Sequence, residues 1–257
     1  MELALELKNV GLRVDSRMIF RDLCFQLRQG ESCLMIGASG SGKSLLLKIC
    51  AGLFLPTEGT VRIAGMDPAS ASAQEMEALG RRIGFVFQDS ALISNMAVYD
   101  NVALPLRYHT GWSEERVRER VEEKMALFAV DRTLDASIPA QLSGEMRKRT
   151  ALARALVMDP NLLLLDHPVD GLGPETQQRV MGILRDYQRK TGATILQVST
   201  EWPLSSPWSE RVAHLQGGRI AAEGSEEKMR PYLQGLKESA SPSSGGSHAH
   251  VLSNPTR

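Results

Sequence analysis

The 257-residue chain reads as an α/β fold built on a mixed, largely parallel sheet, and three observations predict it. First, the apolar run Cys33-Leu34-Met35-Ile36 leads into Gly37-Ala38-Ser39-Gly40-Ser41-Gly42-Lys43-Ser44, and the helical run Leu45 to Cys50 follows. That is a strand, a glycine-rich turn and a helix. Second, Leu162-Leu163-Leu164-Leu165 is a short apolar run ending in Asp166, the pattern of a central parallel strand. Third, from Ser90 to Leu142 the character turns helical, so a helical unit is inserted between the two strands.

The glycine-rich turn has a specific chemistry. Its glycines let backbone N–H groups crowd around phosphate oxygens, and the helix N-terminus adds partial positive charge. Lys43 at this offset reaches the β- and γ-phosphates, and the Ser44 hydroxyl binds Mg²⁺. A glycine turn without a ligand is the bland alternative, and Lys-Ser between strand and helix argues against it. The stretch implies a nucleoside triphosphate without saying whether it is hydrolysed.

Thirty basic residues balance thirty acidic ones, so no long-range field favours nucleic acid or anionic lipid. Cys24, Cys33 and Cys50 lie in apolar segments without metal-ligand spacing and read as reduced core residues. The acidic start, Met1 to Glu6, does not fit a signal peptide, and no apolar run approaches the ~18 residues a bilayer needs. A cytoplasmic chain reaching the membrane through a partner is expected.

In chain order, Leu3, Leu5 and Leu7, then Val10, Leu12 and Val14, alternate as a strand; a second strand lies near Cys24 to Leu27. After the turn Pro56-Thr57-Glu58-Gly59 come a short strand, Thr60 to Ala64, and a helix over Ala71 to Leu79. Arg82 to Phe87 is a buried strand ending at Gln88. Ser113 caps a helix whose face is Val117, Val121, Met125 and Phe128. Further helices run from near Ser143 to Met158 and, with proline at the start, from Pro174 to Lys190. Thr194 to Val198 is a strand, Val212 to Leu215 and Arg219 to Ala221 form a hairpin, and Ser225 to Leu233 is a last helix. The Ser, Gly, Pro and His composition beyond Gly235 predicts a disordered tail over 235–257, in which two flexible histidines carry no metal site.

A phosphate loop needs an acid at the end of a neighbouring strand to hold Mg²⁺, and Asp166 supplies it. The order phosphate loop, Gln88, helical insertion, Leu142-Ser143-Gly144-Glu145, Asp166 resembles the nucleotide-binding domain of ABC transporters over about Leu3 to Leu233. The segments Gln88 to Arg107 and Leu142 to Arg149 look most like the ATPase subunit of Mla-type transporters, which work with Mce proteins to move phospholipids. The resemblance implies a RecA-like core over residues 1–234 with a helical subdomain inserted at about 90–158. It implies a homo- or heterodimer under an integral membrane permease, an Mce-type partner, and no nucleic acid. ATP and Mg²⁺ would sit between the phosphate loop, Gly37 to Leu45, and the other chain's signature, Ser143, Gly144 and Glu145. Gln88 would touch Mg²⁺ together with Ser44 and Asp166, and residues Ala91 to Val102 would meet a permease coupling helix.

Five positions depart from the family's pattern. His167 stands where relatives have the glutamate that activates water, and Thr200 where they have a histidine on the γ-phosphate. Gly173 replaces an aspartate, Glu145 the signature's second glycine, and Val14 the aromatic residue that stacks on adenine. A general base is worth about 10²–10⁴ in rate. His167 can accept a proton if suitably placed, whereas Glu145 would set a carboxylate near the partner's γ-phosphate unless it swings away. Bound Mg-ATP with slow or absent hydrolysis is expected; a scaffold subunit, or an ATPase for another cargo, is the alternative. The loop from Trp202 to Trp208 is expected to pack on the hairpin.

Overall fold

The computed structural model describes residues 2–200 and 209–240, with side chains through residue 235. Two sheets organise it. A three-stranded antiparallel sheet has the order β2-β1-β4, from β1 (Leu3–Val14), β2 (Arg17–Arg28) and β4 (Glu58–Ile63). A six-stranded sheet has the order β5-β6-β7-β3-β8-β9, from β3 (Ser32–Ile36), β5 (Ile83–Val86), β6 (Leu162–Asp166), β7 (Thr194–Ser199), β8 (Arg211–Gln216) and β9 (Arg219–Ser225). Its first five strands are parallel and β9 returns antiparallel to β8, which gives the predicted mixed sheet. β6 is buried at every position, as its unbroken leucines require.

The first two strands are longer and less regular than a two-residue period indicates. In β1 the buried set changes from Leu5 and Leu7 to Val10 and Leu12, an odd-to-even switch. Asn9, at φ 50°, absorbs it in a register shift between Leu7 and Val10. β2 does the same at Asp22, φ 49°, between buried Phe20 and Leu23. That break hid the first half of β2, so the expected start near Cys24 is corrected to Arg17.

α1 (Lys43–Cys50) packs Leu46, Leu47 and Ile49 between the two sheets, in one core with Leu5, Leu12 and Phe20. A second core gathers α3 (Val98–His109), α4 (Glu114–Leu127), α5 (Gly144–Leu156) and α6 (Pro174–Thr191) against β6 and β7 through Val102, Val121, Leu152, Leu163 and Leu184. Between β4 and β5, α2 (Ala73–Gly80) starts at a Ser72–Glu75 capping box. Buried Asn101 accepts from the Ile93 amide at 2.7 Å, and its amide donates to the carbonyls of Ile93, Met96 and Ala97 at 3.0–3.2 Å.

Two further expectations change. The last helix, α7 (Glu226–Ala240), runs past Gly235, with Met229 and Leu233 on Leu34, Ile36 and Val212; residues 241–257 lie outside the described part. Cys33 and Cys50 are buried, and burial pushes both thiols up to about 12, but Cys24 is exposed beside Asn9.

Candidate nucleotide site

The phosphate loop joins the end of β3 to the start of α1, so the topology aims its amides at the C-terminal edge of the parallel sheet. Gly42 caps α1 at φ 98°, where a β-carbon would lie 2.8 Å from the Phe20 ring. Gly37 is as confined: a β-carbon there would lie 2.6 Å from the Leu215 carbonyl oxygen. Ala38, Ser39 and Gly40 form the exposed crown of the turn, with Ser41 and Leu45 half-buried behind it. The Ser41 hydroxyl is buried without a hydrogen-bond partner.

Lys43 is buried and folded back over the loop, its ammonium donating to the Gly37 carbonyl at 2.7 Å and the Ala38 carbonyl at 2.9 Å. Burial pulls its pKa below the usual lysine value while Asp166 and Asp170 pull it up. Asp166 ends β6, two strands from β3 across β7, and the Ser44 hydroxyl bonds its carboxylate. Burial pushes Asp166 above the usual carboxylate range against that bond and against His167, Lys148 and Lys43. Its Oδ1 is buried without a partner. An unfilled oxygen on a buried acid beside a serine hydroxyl fits the hard-oxygen preference of Mg²⁺. Ser44 and Asp166 are therefore the residues that could hold the ion.

Gly42, Lys43, Ser44, Gln88, His167 and Thr200 line one cavity of about 260 Å³. Residues far apart in the chain thus meet around one space. Ile19, Ser39 and Gly40 are shared with a second cleft of about 630 Å³ that carries Arg17, Arg21 and Arg219. Ser143, Gly144 and Glu145 are not among the residues lining either space.

The divergent positions have distinct environments. His167, at φ 50°, is buried, and its Nδ1 lies 2.7 Å from the Asp170 carboxylate. That hydrogen bond from His167 holds Asp170 below its usual range, so Asp170 is the ionised acceptor and Nδ1 carries the proton. In the neutral ring Nε2 is then the acceptor. Thr200 is exposed at the cavity rim; Glu201 to Trp208, including the Trp202 and Trp208 loop, fall outside the described residues. Glu145 has swung onto its own helix: its carboxylate pairs with Arg149 and accepts from Thr176 Oγ1 at 3.1 Å. Gly173 is the exposed N-cap of α6, and half-buried Val14 packs on the core between the sheets. Ser143 caps α5, its hydroxyl accepting from the Met146 amide at 3.1 Å.

Sequence reasoning missed two cations. Lys148, buried on α5, donates to the Gln88 carbonyl at 2.7 Å and the Phe87 carbonyl at 3.5 Å. Arg154, six residues on, donates to the carbonyls of Ser90 and Ala91 at 2.9 and 2.8 Å. The faint signal available was a lysine in register with Ala151, Leu152 and Ala155 on the buried side of α5.

Fold and loop together define a P-loop protein with a nucleoside-triphosphate cradle at a sheet edge. A profile described as ABC transporter matches residues 20–170, and the chain belongs to that family. It is 38% identical over 77% of its length to the "Probable ribonucleotide transport ATP-binding protein mkl" of Mycobacterium leprae, and 41% identical over 77% to the "Sulfate/thiosulfate import ATP-binding protein CysA" of Xanthomonas campestris. It is 38% identical over 79% to the "Methionine import ATP-binding protein MetN" of Ralstonia nicotianae. The chain spans 57–58% of the length of these three relatives. Among solved structures, the dimeric ATP-binding cassette MJ0796, bound to ADP and Pi, superposes with a TM-score of 0.81 at 31% identity, covering 86% of this chain and 98% of that one. CbiO1 of Clostridium perfringens, part of the transporter complex cbiONQ, shares the fold with a TM-score of 0.77 at 24% identity, over 93% and 94% of the two chains. Among the described residues no helix is long and apolar enough to cross a membrane.

Proposed function

We propose that the chain is the ATP-binding subunit of a bacterial ABC transporter. It would hold Mg-ATP between its own phosphate loop and the Ser143–Glu145 segment of a second cassette. The observation that carries the reading is buried Asp166, bonded by the Ser44 hydroxyl and with one carboxylate oxygen unfilled, at the foot of a phosphate loop. Loop amides and Lys43 would take the phosphates, and the bound Mg²⁺ would neutralise charge developing on them. The dimeric cassette that this chain superposes on supports the second-chain contact. Peripheral placement under a permease on the cytoplasmic face follows from the same role. Loop residues Ile93 to Ala97, tied down by Asn101, are our candidate for the permease contact within Ala91 to Val102.

Hydrolysis is expected to be slow. In its neutral form His167 offers Nε2 as an acceptor on a ring fixed to Asp170, a more constrained base than the glutamate it replaces. The salt-bridged Glu145 keeps its charge off the signature turn, so this substitution does not oppose closure over a partner's nucleotide. The named relatives span ribonucleotide, sulfate and methionine transport, so likeness supports the role and leaves the cargo open. Phospholipid handled with an Mce-type protein remains the cargo suggested by Gln88 to Arg107, and those names do not favour it. The test is Mg-ATP binding and turnover by the purified chain beside Lys43→Ala. Binding lost in the variant, with turnover about 10²–10⁴ below a glutamate-containing relative, is the expected result. No Mg-dependent binding would refute the site; turnover of several per second, abolished by Lys43→Ala, would refute slow hydrolysis.

A further inference from the structure

Phe87 to Ala91, which carries Gln88 to the cavity, has a backbone that would not hold itself. Ser90 (φ 69°) and Ala91 (φ 42°) are consecutive non-glycine residues in the left-handed region, a costly conformation that, outside a tight hairpin such as Asp15-Ser16, calls for support from the surroundings. Local bonds supply part of this: the Ser90 amide donates to the Phe87 carbonyl at 3.0 Å, and the Ala91 amide to Asp89 Oδ1 at 3.2 Å. The rest comes from α5. The Lys148 ammonium sits on the carbonyls of Phe87 and Gln88, and the Arg154 guanidinium forks onto those of Ser90 and Ala91. Four of the five carbonyls from Phe87 to Ala91 are thus gripped by two cations on one helix, about 60 residues away in the chain. Arg is suited to the second grip because its planar fork meets two acceptors at once.

The same helix begins at the Ser143 cap and carries Gly144 and Glu145 in its first turn. We infer that Lys148 and Arg154 are positioning residues that lock the Gln88 segment to α5, so that displacement of the Ser143–Glu145 turn is passed to Gln88 at the phosphate loop. The inference deepens the proposed function and rests on it for its nucleotide-facing part. α5 is a 13-residue α-helix, stiff over the distance from its cap to both cations. Lys148 leaves α5 one and a half turns after the cap and Arg154 three turns after it, so both grips move with the helix as one body. A partner cassette pressing on the signature would therefore shift the Gln88 carbonyl beside the cavity without touching it.

Hydrogen exchange of the full chain, read by mass spectrometry on peptides covering 87–91, tests this in two arms. Without nucleotide, Lys148→Met and Arg154→Met are expected to speed exchange of the 88–91 amides about tenfold while peptides of β1 and β2 stay unchanged. Lys148→Arg is expected to restore protection, and Arg154→Lys, which keeps the charge and loses the fork, to restore only part of it. If either methionine variant loosens the whole chain, these two conservative variants decide. Ser143→Ala, which frays the start of α5, should speed exchange at 88–91 in the parent and add nothing in Lys148→Met, the non-additivity expected of one coupled unit. With Mg-ATP, the parent should gain protection at 88–91 that both methionine variants lack, although the nucleotide affinity of Arg154→Met stays within about threefold of the parent. A merely structural role would lower affinity and protection together. Unchanged exchange at 88–91 in the variants, or a Ser143→Ala effect of equal size with and without Lys148, would overturn the inference. If the parent binds no Mg-ATP, the proposed function fails while the nucleotide-free arm still decides the clamp.

Discussion

Two glycines of the phosphate loop separate backbone strain from steric crowding. Gly40 (φ 76°) and Gly42 (φ 98°) both adopt positive φ, but a β-carbon at Gly40 meets nothing within 4 Å, whereas one at Gly42 meets Phe20 at 2.8 Å and Ile19 at 2.9 Å. Gly40→Ala then carries only the left-handed penalty, about 1–2 kcal/mol. Gly42→Ala carries that and an overpacking cost of about 1–3 kcal/mol, because the ring it strikes belongs to the core between the sheets and cannot retreat to solvent. The expected totals are about 1–2 and 2–5 kcal/mol. At ~2–4 °C per kcal/mol for a chain of this size, Gly42→Ala should melt about 2–12 °C below Gly40→Ala. Thermal melts of both variants without nucleotide, followed by Mg-ATP titration, are the assay. Equal melting temperatures would refute the steric cost assigned to Phe20 and Ile19, and would assign the requirement for glycine at Gly42 to backbone conformation alone.

Asp166→Asn removes a carboxylate that burial holds above its usual range, so the variant should be more stable without nucleotide at pH 7. A raised folded-state pKa means that the native state binds the extra proton as pH falls; stability is lost as pH rises through the window above the unfolded value, and the variant's gain should vanish below about pH 4. Denaturant unfolding at both pH values checks the sign, and weaker Mg-dependent ATP binding should accompany the gain. Asn101→Ala should cost about 2–4 kcal/mol, since the Ile93 amide and the Met96 carbonyl lose their buried partner, with exchange rising first at 93–97.

The phosphate loop and Asp166 were legible because their chemistry demands fixed residue types at fixed offsets from a strand end. Long apolar runs such as Leu162 to Leu165 were legible for a similar reason: a strand buried on both faces has no room for polar residues. β2 was half hidden because the bulge at Asp22 resets the two-residue period on which strand recognition depends. Lys148, Arg154 and Asn101 were illegible for a different reason. Each bonds main-chain groups, which every residue type displays alike, so the sequence around Phe87 or Ile93 bears no mark of the side chain that will hold it. The fate of Glu145 depends on Thr176, 31 residues on, and emerged only when α5 and α6 were set side by side.

Lys43, doubled back on the carbonyls of Gly37 and Ala38, has a consequence for how a ligand enters. The ammonium bridges the first two residues of the turn and ties their carbonyls together. An arriving phosphate would not need to fold the loop around itself. It would compete with two neutral oxygens for a cation that burial has already desolvated. A charge-neutral substitute at Lys43 would thus remove both the contact to phosphate and the scaffold that keeps the empty turn in register. Nucleotide-free Lys43→Met should accordingly show a loosened 37–42 turn.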